Sequence, residues 1–205
     1  MKGWTIALAL IATSTGGVAW AAPDNADVDA ALALQAAATA VAPNRFVWND
    51  TATSEPVSVV VSIADQRAYV YRGQTMIAVS SVSTGKEGKG TPAGTYPILQ
   101  KKQDHKSNLY DDAPMPFMQR LTWDGIALHA GRNPGFPASH GCVRMPAAFA
   151  KKLFEITTLG STVTVMDEPF LAGDGMAPEP VPFQADETIA AARADSLQLA
   201  SFEAK

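Results

Sequence analysis

Val57-Ser58-Val59-Val60-Val61-Ser62-Ile63, Ala68-Tyr69-Val70-Tyr71-Arg72 and Thr75-Met76-Ile77-Ala78-Val79-Ser80-Ser81-Val82 follow one another, parted only by Ala64-Asp65-Gln66-Arg67 and Gly73-Gln74. β-Branched and aromatic side chains fit a pleated surface, and polar breaks this short leave room only for reversing turns. The three runs therefore predict a meander of antiparallel strands. Downstream, Thr95 to Lys101, Ile126 to His129 and Thr162 to Met166 read as further strands. Between the last two, Pro146 to Leu159 carries Phe149, Leu153 and Ile156 at helical spacing, with Gly160 as the expected stop. A mostly β core of short strands with one inserted helix suits a sandwich or a partly closed barrel. A parallel βαβ fold lacks the helices it needs.

Outward from this core, residues 22–56 are Ala-rich and acidic, with a short helix expected over Asp27 to Ala40 and stopped by Pro43; the segment reads as a spacer. At the N-terminus Lys2, the apolar run Trp4 to Ala12 and the small-x-small site Ala19-Trp20-Ala21 read as a secretory signal over 1–21, cut before Ala22. The rival is an uncleaved anchor, but Thr13 to Gly17 is polar and glycine-rich for a span. The expectation is an exported, periplasmic protein with no stable membrane span once the signal is removed. Residues 167–205 read as an acidic linker and tail with a weak amphipathic helix over Asp186 to Ala200. The folded core is then expected over 57–166.

With 205 residues, 47% of them apolar and 18% charged, the chain has room for one ordinary domain plus tails, and wholesale disorder is excluded. Its net charge of -4 is uneven: Val57 to Met166 carries twelve Lys or Arg against seven acids, whereas Asp167 to Lys205 carries eight acids against two bases. A basic middle fits an anionic partner. Nucleic acid is a poor candidate for it, because no Lys/Arg run, zinc pattern or aromatic-basic interleave occurs.

The densest chemistry lies in Leu128-His129-Ala130-Gly131 and, after a Gly/Pro loop, Ser139-His140-Gly141-Cys142-Val143-Arg144-Met145-Pro146. Cys142 is the one cysteine of a chain that reads as exported, where thiols normally pair, so it calls for an explanation. A thiol attacks as thiolate and needs a base or a positive environment; His129 and His140 are both placed to supply one. Gly141 permits a sharp turn, after which amides around Cys142 would face the oxygen of a tetrahedral intermediate. Arg144 is a candidate for holding a substrate carboxylate. The bland readings are a buried thiol, structural histidines and a surface arginine. Zinc on His129, His140 and Cys142 is disfavoured, because His-x-Cys is too close for usual chelation and a second cysteine is missing. His105 reads as solvated, and Gly85 to Gly90 as a flexible turn rather than a phosphate loop. The stretch Lys101 to Phe117 has few strand signals and reads as a flap, with Tyr110, Met115 and Phe117 as substrate contacts.

Ser139-His140-Gly141-Cys142-Val143-Arg144-Met145 after an upstream His129 resembles the active-site signature of the L,D-transpeptidase (YkuD-type) family of bacterial cell-wall enzymes. Val57 to Val82, Ser83-Thr84-Gly85, Thr91-Pro92-Ala93-Gly94-Thr95-Tyr96 and Gly125-Ile126-Ala127-Leu128-His129 extend the resemblance over Val57 to Met166. It implies a β-rich domain in which Cys142 attacks a carbonyl of a peptidoglycan stem peptide. His129 would be the base, oriented by the backbone carbonyl of Ala130, while His140 and Ser139 would shape the cysteine loop. A tetrapeptide stem would lose D-alanine and leave a thioester, resolved by an amine of another stem, by a lipoprotein lysine or by water. No cofactor or metal is implied. Many members have Gly after the first histidine and Asn two places after the cysteine, where this chain has Ala130 and Arg144. An L,D-carboxypeptidase or amidase using the same cysteine, or a catalytically silent wall-binding module, would share the pattern.

Overall fold

The computed structural model describes residues 25–50, 53–107 and 112–170. The signal over 1–21, Tyr110 and the tail helix over Asp186 to Ala200 lie outside them. The meander forms as read: β2 (Val57–Ser62), β3 (Arg67–Arg72) and β4 (Thr75–Ser81) pair antiparallel, with Val59 opposite Val70 and Val70 opposite Ala78. The valine run of β2 does not alternate with polar residues because both of its faces are covered. Val59, Val61, Ala68, Val70 and Ile77 face the main core, whereas Val60, Tyr69, Tyr71 and Val79 face a second cluster.

That second cluster corrects the reading of 22–56 as a spacer. The segment supplies α1 (Asn25–Ala40) and β1 (Phe46–Trp48). Leu34, Ala37 and Ala38, at i, i+3 and i+4, are buried against Val60, Tyr69, Tyr71 and Val79. β1 pairs with β4, and the rings of Phe46 and Trp48 each lie 5.6 Å from that of Phe149. The sheet order is β1-β4-β3-β2-β10-β5, with β5 Gly94–Pro97 and β10 Thr162–Met166.

The expected strand Thr95 to Lys101 divides. β5 belongs to the six-stranded sheet, and β6 (Gln100–Lys102) to a second sheet ordered β6-β7-β8-β9, with β7 Met118–Arg120, β8 Ala127–Ala130 and β9 Val143–Met145. Ile98 is buried at the crossing, where the Ile98 amide donates to Ser161 O and that of Leu99 to Arg120 O. Two sheets on a shared core make a mostly β sandwich with one inserted helix, α2 (Ala147–Ile156), whose Phe149, Ala150 and Leu153 fill that core. Among the described residues there is no βαβ unit, yet two strand pairs are parallel, β2 with β10 and β8 with β9.

Gly160 does not stop α2. The helix ends at Thr157, whose backbone is extended (φ -84°, ψ 158°), and Lys101 Nζ from β6 takes the carbonyls of Phe154 and Thr157 at 2.6 and 2.5 Å. A cation at the negative end of the helix dipole does there what the sequence assigns to glycine. Gly160, at φ +86°, instead turns the chain into β10. Among the described residues no helix is long and apolar enough to cross a membrane.

Candidate active site

β8 and β9 run parallel with His129 opposite Arg144, so Cys142, the residue before β9, falls at the end of the ladder that carries His129. His129 and Cys142 line one cavity of about 460 Å3 together with Met115, Ser139, His140 and Arg144. The His129 ring is buried, and its Nδ1 lies 2.8 Å from Ala130 O. A carbonyl oxygen only accepts, so Nδ1 carries the proton and Nε2 is left as the basic nitrogen. Burial lowers the His129 pKa to about 4; the Ala130 carbonyl opposes this, and the charges of Arg144 and His105 add to it. Burial raises the Cys142 thiol above its ordinary value, against a backbone hydrogen bond from Ala127 and the positive fields of Arg144 and Arg120. The thiol donates to Gly125 O at 3.3 Å. Near neutrality both groups are therefore uncharged, a thiol and a neutral imidazole.

The loop that presents Cys142 is fixed from several sides. Gly141 sits at φ +118°, and a Cβ there would lie 2.8 Å from Ile126 Cδ1, so any other residue is both strained and crowded. Ser139 Oγ accepts from the Gly141 amide at 3.1 Å and donates to Cys142 O at 2.5 Å. The amide of Gly141 is thereby engaged, which removes it from the donors expected to face an oxyanion. Thr91 Oγ1 accepts from the Gly85 amide at 2.9 Å and donates to Gly141 O at 2.7 Å. Thr84 O accepts from the amides of Ala138 and Ser139, both at 3.0 Å. Behind Thr84 stands Gln66, buried and at φ +51°, whose Nε2 donates to Thr84 Oγ1 at 2.6 Å and whose Oε1 accepts from the Thr84 amide at 3.0 Å.

Gln66, Thr84 and Thr91 have no chemistry of their own, so the sequence marks them only as turn and motif residues. Their function is visible once the loops are brought together. The Gly85 to Gly90 turn is anchored at its first residue: a Cβ on Gly85 would lie 2.6 Å from the amide of Thr91, a close backbone approach that only glycine allows.

Of the other residues picked from the sequence, His140 is exposed at the cavity rim and Arg144 is half-buried in its wall, with Nη1 3.4 Å from Ala138 O. Met115 lines the cavity, but Phe117 does not. Phe117 has φ +57°, and its ring packs 6.0 Å from that of Phe154 on α2, on the core side of the chain. His105 is half-buried rather than solvated and lines a neighbouring cavity of about 280 Å3 with Arg120, Trp123 and Asp124. Among the described residues no three His, Cys, Asp or Glu side chains are grouped to hold a metal. A further cavity, about 670 Å3 at the ends of β2 and β10, is lined by no histidine or cysteine.

The family model of the L,D-transpeptidase (YkuD) catalytic domain matches residues 56–165, the two sheets and α2 without α1 and β1. The chain belongs to the L,D-transpeptidase family. Among its relatives, the probable L,D-transpeptidase ErfK/SrfK of Salmonella typhimurium is 25% identical over 161 residues, 66% of this chain and 51% of that protein. The chain thus spans about half the length of the curated relative it matches. An L,D-transpeptidase from Stackebrandtia nassauensis superposes with a TM-score of 0.51 at 28% identity, covering 57% of this chain and 58% of that one. LdtMt1, solved in complex with imipenem, has the same fold at a TM-score of 0.51 and 22% identity, over 55% of this chain and 59% of its own.

Proposed function

We propose that this L,D-transpeptidase domain uses Cys142 as nucleophile and His129 as general base on peptidoglycan stem peptides. Nε2 of His129 takes the thiol proton as sulfur attacks the carbonyl of the third, diamino-acid residue of a tetrapeptide stem. The resulting imidazolium returns the proton to the departing amine of D-alanine, and a thioester is left on Cys142. An amine then attacks the thioester carbon, the C–S bond breaks, and the thiol is restored. Arg144 pairs with a carboxylate of the stem, and Met115 contacts its hydrocarbon. Ser139 and Gly141 hold the cysteine loop, with His140 at its rim. The reaction needs no cofactor or metal, and the chain works in the periplasm after losing residues 1–21.

The observation that carries the reading is that buried His129, with its Nδ1 engaged by Ala130 O, lines the same cavity as Cys142. Incubation of the mature protein with purified tetrapeptide muropeptides tests it. Release of D-alanine together with products of joined-stem mass is the expected result. Release with shortened stems alone would make the enzyme a carboxypeptidase, and unaltered muropeptides would remove the assignment.

A further inference from the structure

The matched domain begins at residue 56, yet the chain ahead of it reaches the active-site loop. Helix α1 ends in the turn Ala42-Pro43-Asn44-Arg45, where the Arg45 amide donates to Ala42 O at 3.1 Å. Proline in the second place and asparagine at φ +58° in the third are residues that such a turn favours. The turn hands the chain to β1 and leaves Pro43 and Arg45 beside the loop that joins His129 to Cys142. Gly135 of that loop, at φ +87°, lies so close that a Cβ on it would stand 2.5 Å from Pro43 Cγ.

The polar contacts run through Ser81, the last residue of β4. Its amide donates to Arg45 O at 3.0 Å, and its hydroxyl donates to the same carbonyl at 3.2 Å and accepts from the Arg45 amide at 3.3 Å. From the loop side, buried Asn133 donates through Nδ2 to Ser81 O at 2.8 Å and to Ser81 Oγ at 2.9 Å. Its Oδ1 accepts from the Gly135 amide at 3.1 Å. A carbonyl accepts and an amide N–H donates, so the orientation of the Asn133 side chain is fixed and both of its donor hydrogens are used. Further along, Ser83 Oγ donates to Phe136 O at 2.8 Å, and Thr84 O takes the amides of Ala138 and Ser139. The loop is thus pinned to the end of β4 and its continuation at successive places, and the first of them is shared with the segment ahead of the domain.

We infer that Asn133 is a positioning residue for the Cys142 and His129 pair, and that Pro43 and Arg45 brace the active site through it and Ser81. Asn133 does not line the cavity of Cys142. It stands between Ala130, whose carbonyl orients the His129 ring, and Ser139, whose hydroxyl holds Cys142 O, so it fixes the span from base to nucleophile. A misplacement of about 1 Å in such a pair costs on the order of a hundredfold in rate. The segment over Val41 to Trp48 is in this sense a working part of the site, although it lies outside the matched domain.

The inference rests on the Cys142 nucleophile of the proposed function, and the test keeps the two apart. The mature protein and its variants are mixed with a carbapenem at rising concentration, the adduct is followed by intact mass, and rates are taken per thiol that finally reacts. Asn133→Ala should lower the maximal acylation rate by about tenfold, the worth of a lost buried hydrogen bond, with the half-saturating concentration nearly constant. Ser81→Ala leaves Asn133 one acceptor and should cost less. The double variant should be no slower than Asn133→Ala, because the two side chains act as one unit. Pro43→Gly, ahead of the matched domain, should slow acylation too. Leu34→Ala loosens α1 on Val60, Tyr69 and Tyr71, away from the loop; it should lower the melting temperature and leave the rate per thiol unaltered. An Asn133→Ala rate equal to that of the unaltered protein would overturn the positioning role. So would a slowing by Leu34→Ala as large as that by Asn133→Ala, since the losses would then follow stability alone. Where Asn133→Ala does not fold, Ser81→Ala and Pro43→Gly decide, and unchanged rates in both overturn the brace. No acylation of the unaltered protein would instead remove the Cys142 reading, and the inference would fall with it.

Discussion

The two parallel strand pairs use the same ladder for opposite ends. Between β2 and β10, Val59, Val61, Val163 and Val165 are buried apolar side chains, and the pair holds the core. Between β8 and β9 the ladder carries buried His129 and half-buried Arg144, with Cys142 just outside it. Apolar burial sustains the first pair, at roughly 25 cal/mol per Å2 of surface removed from water. The second shares that core through Leu128, Val143 and Met145, but the cysteine loop at its end rests on hydrogen bonds from Ser139, Thr84, Thr91 and Gln66, whose contribution is lost where one partner is removed and the other stays buried. Stability and chemistry should therefore respond to different substitutions.

The sharpest break of that comparison is His129→Ala, which should lower turnover by about 10²- to 10⁴-fold, the usual worth of a positioned base, with the fold retained. A loss below threefold in steady-state assays would place the base elsewhere. Phe149→Ala should do the reverse: thermal or denaturant unfolding should show a loss of about 3–5 kcal/mol, as for other large aromatic truncations in a core. Full stability would mean that the contacts of Phe46 and Trp48 with this ring matter little.

The pH dependence of stability reports on the same site. With a folded pKa of about 4 against the ordinary 6.5, His129 stays neutral where the unfolded chain is protonated. Stability should be full above pH 6.5 and fall as pH drops toward 4, by an amount on the order of 3 kcal/mol from this group. Denaturant melts at pH 7 and 4.5 measure it, and His129→Gln should flatten the difference. The acid limb of kcat/KM should likewise lie well below 6.5. A smaller effect is expected at Gln66, which touches no substrate: Gln66→Ala should reduce kcat by about tenfold, with KM nearly constant, since it loosens Thr84 and the cysteine loop behind it. A change in KM alone would assign it to binding. Smallest of all, EDTA should leave turnover unaltered, and a loss would contradict a metal-free mechanism.

These regions also differ in how far the sequence discloses them. The meander is legible because β-branched runs with two short breaks allow one arrangement. The cysteine loop is legible because its residues are rare and close together. Helix α1 is legible as a helix over Asp27 to Ala40, but its docking is not: the buried face is Leu34 and two alanines, while Leu32 is 62% exposed, so no apolar stripe marks the side that packs. The crossing at Ile98 has no polar break to announce it, and the end of α2 depends on Lys101, more than fifty residues away in sequence. Phe117 looks like a substrate contact until its positive φ sends the ring into the core. Gln66 becomes visible only when Thr84 and Ser139 are seen in one network.

The central claim, an acyl-accepting thiol at Cys142 driven by neutral His129, is tested most directly by intact mass after exposure to a carbapenem. The mature protein should gain the mass of one drug molecule, and Cys142→Ala should gain none. An adduct that persists in Cys142→Ala, or none on either protein together with slow alkylation of the thiol, would contradict the account.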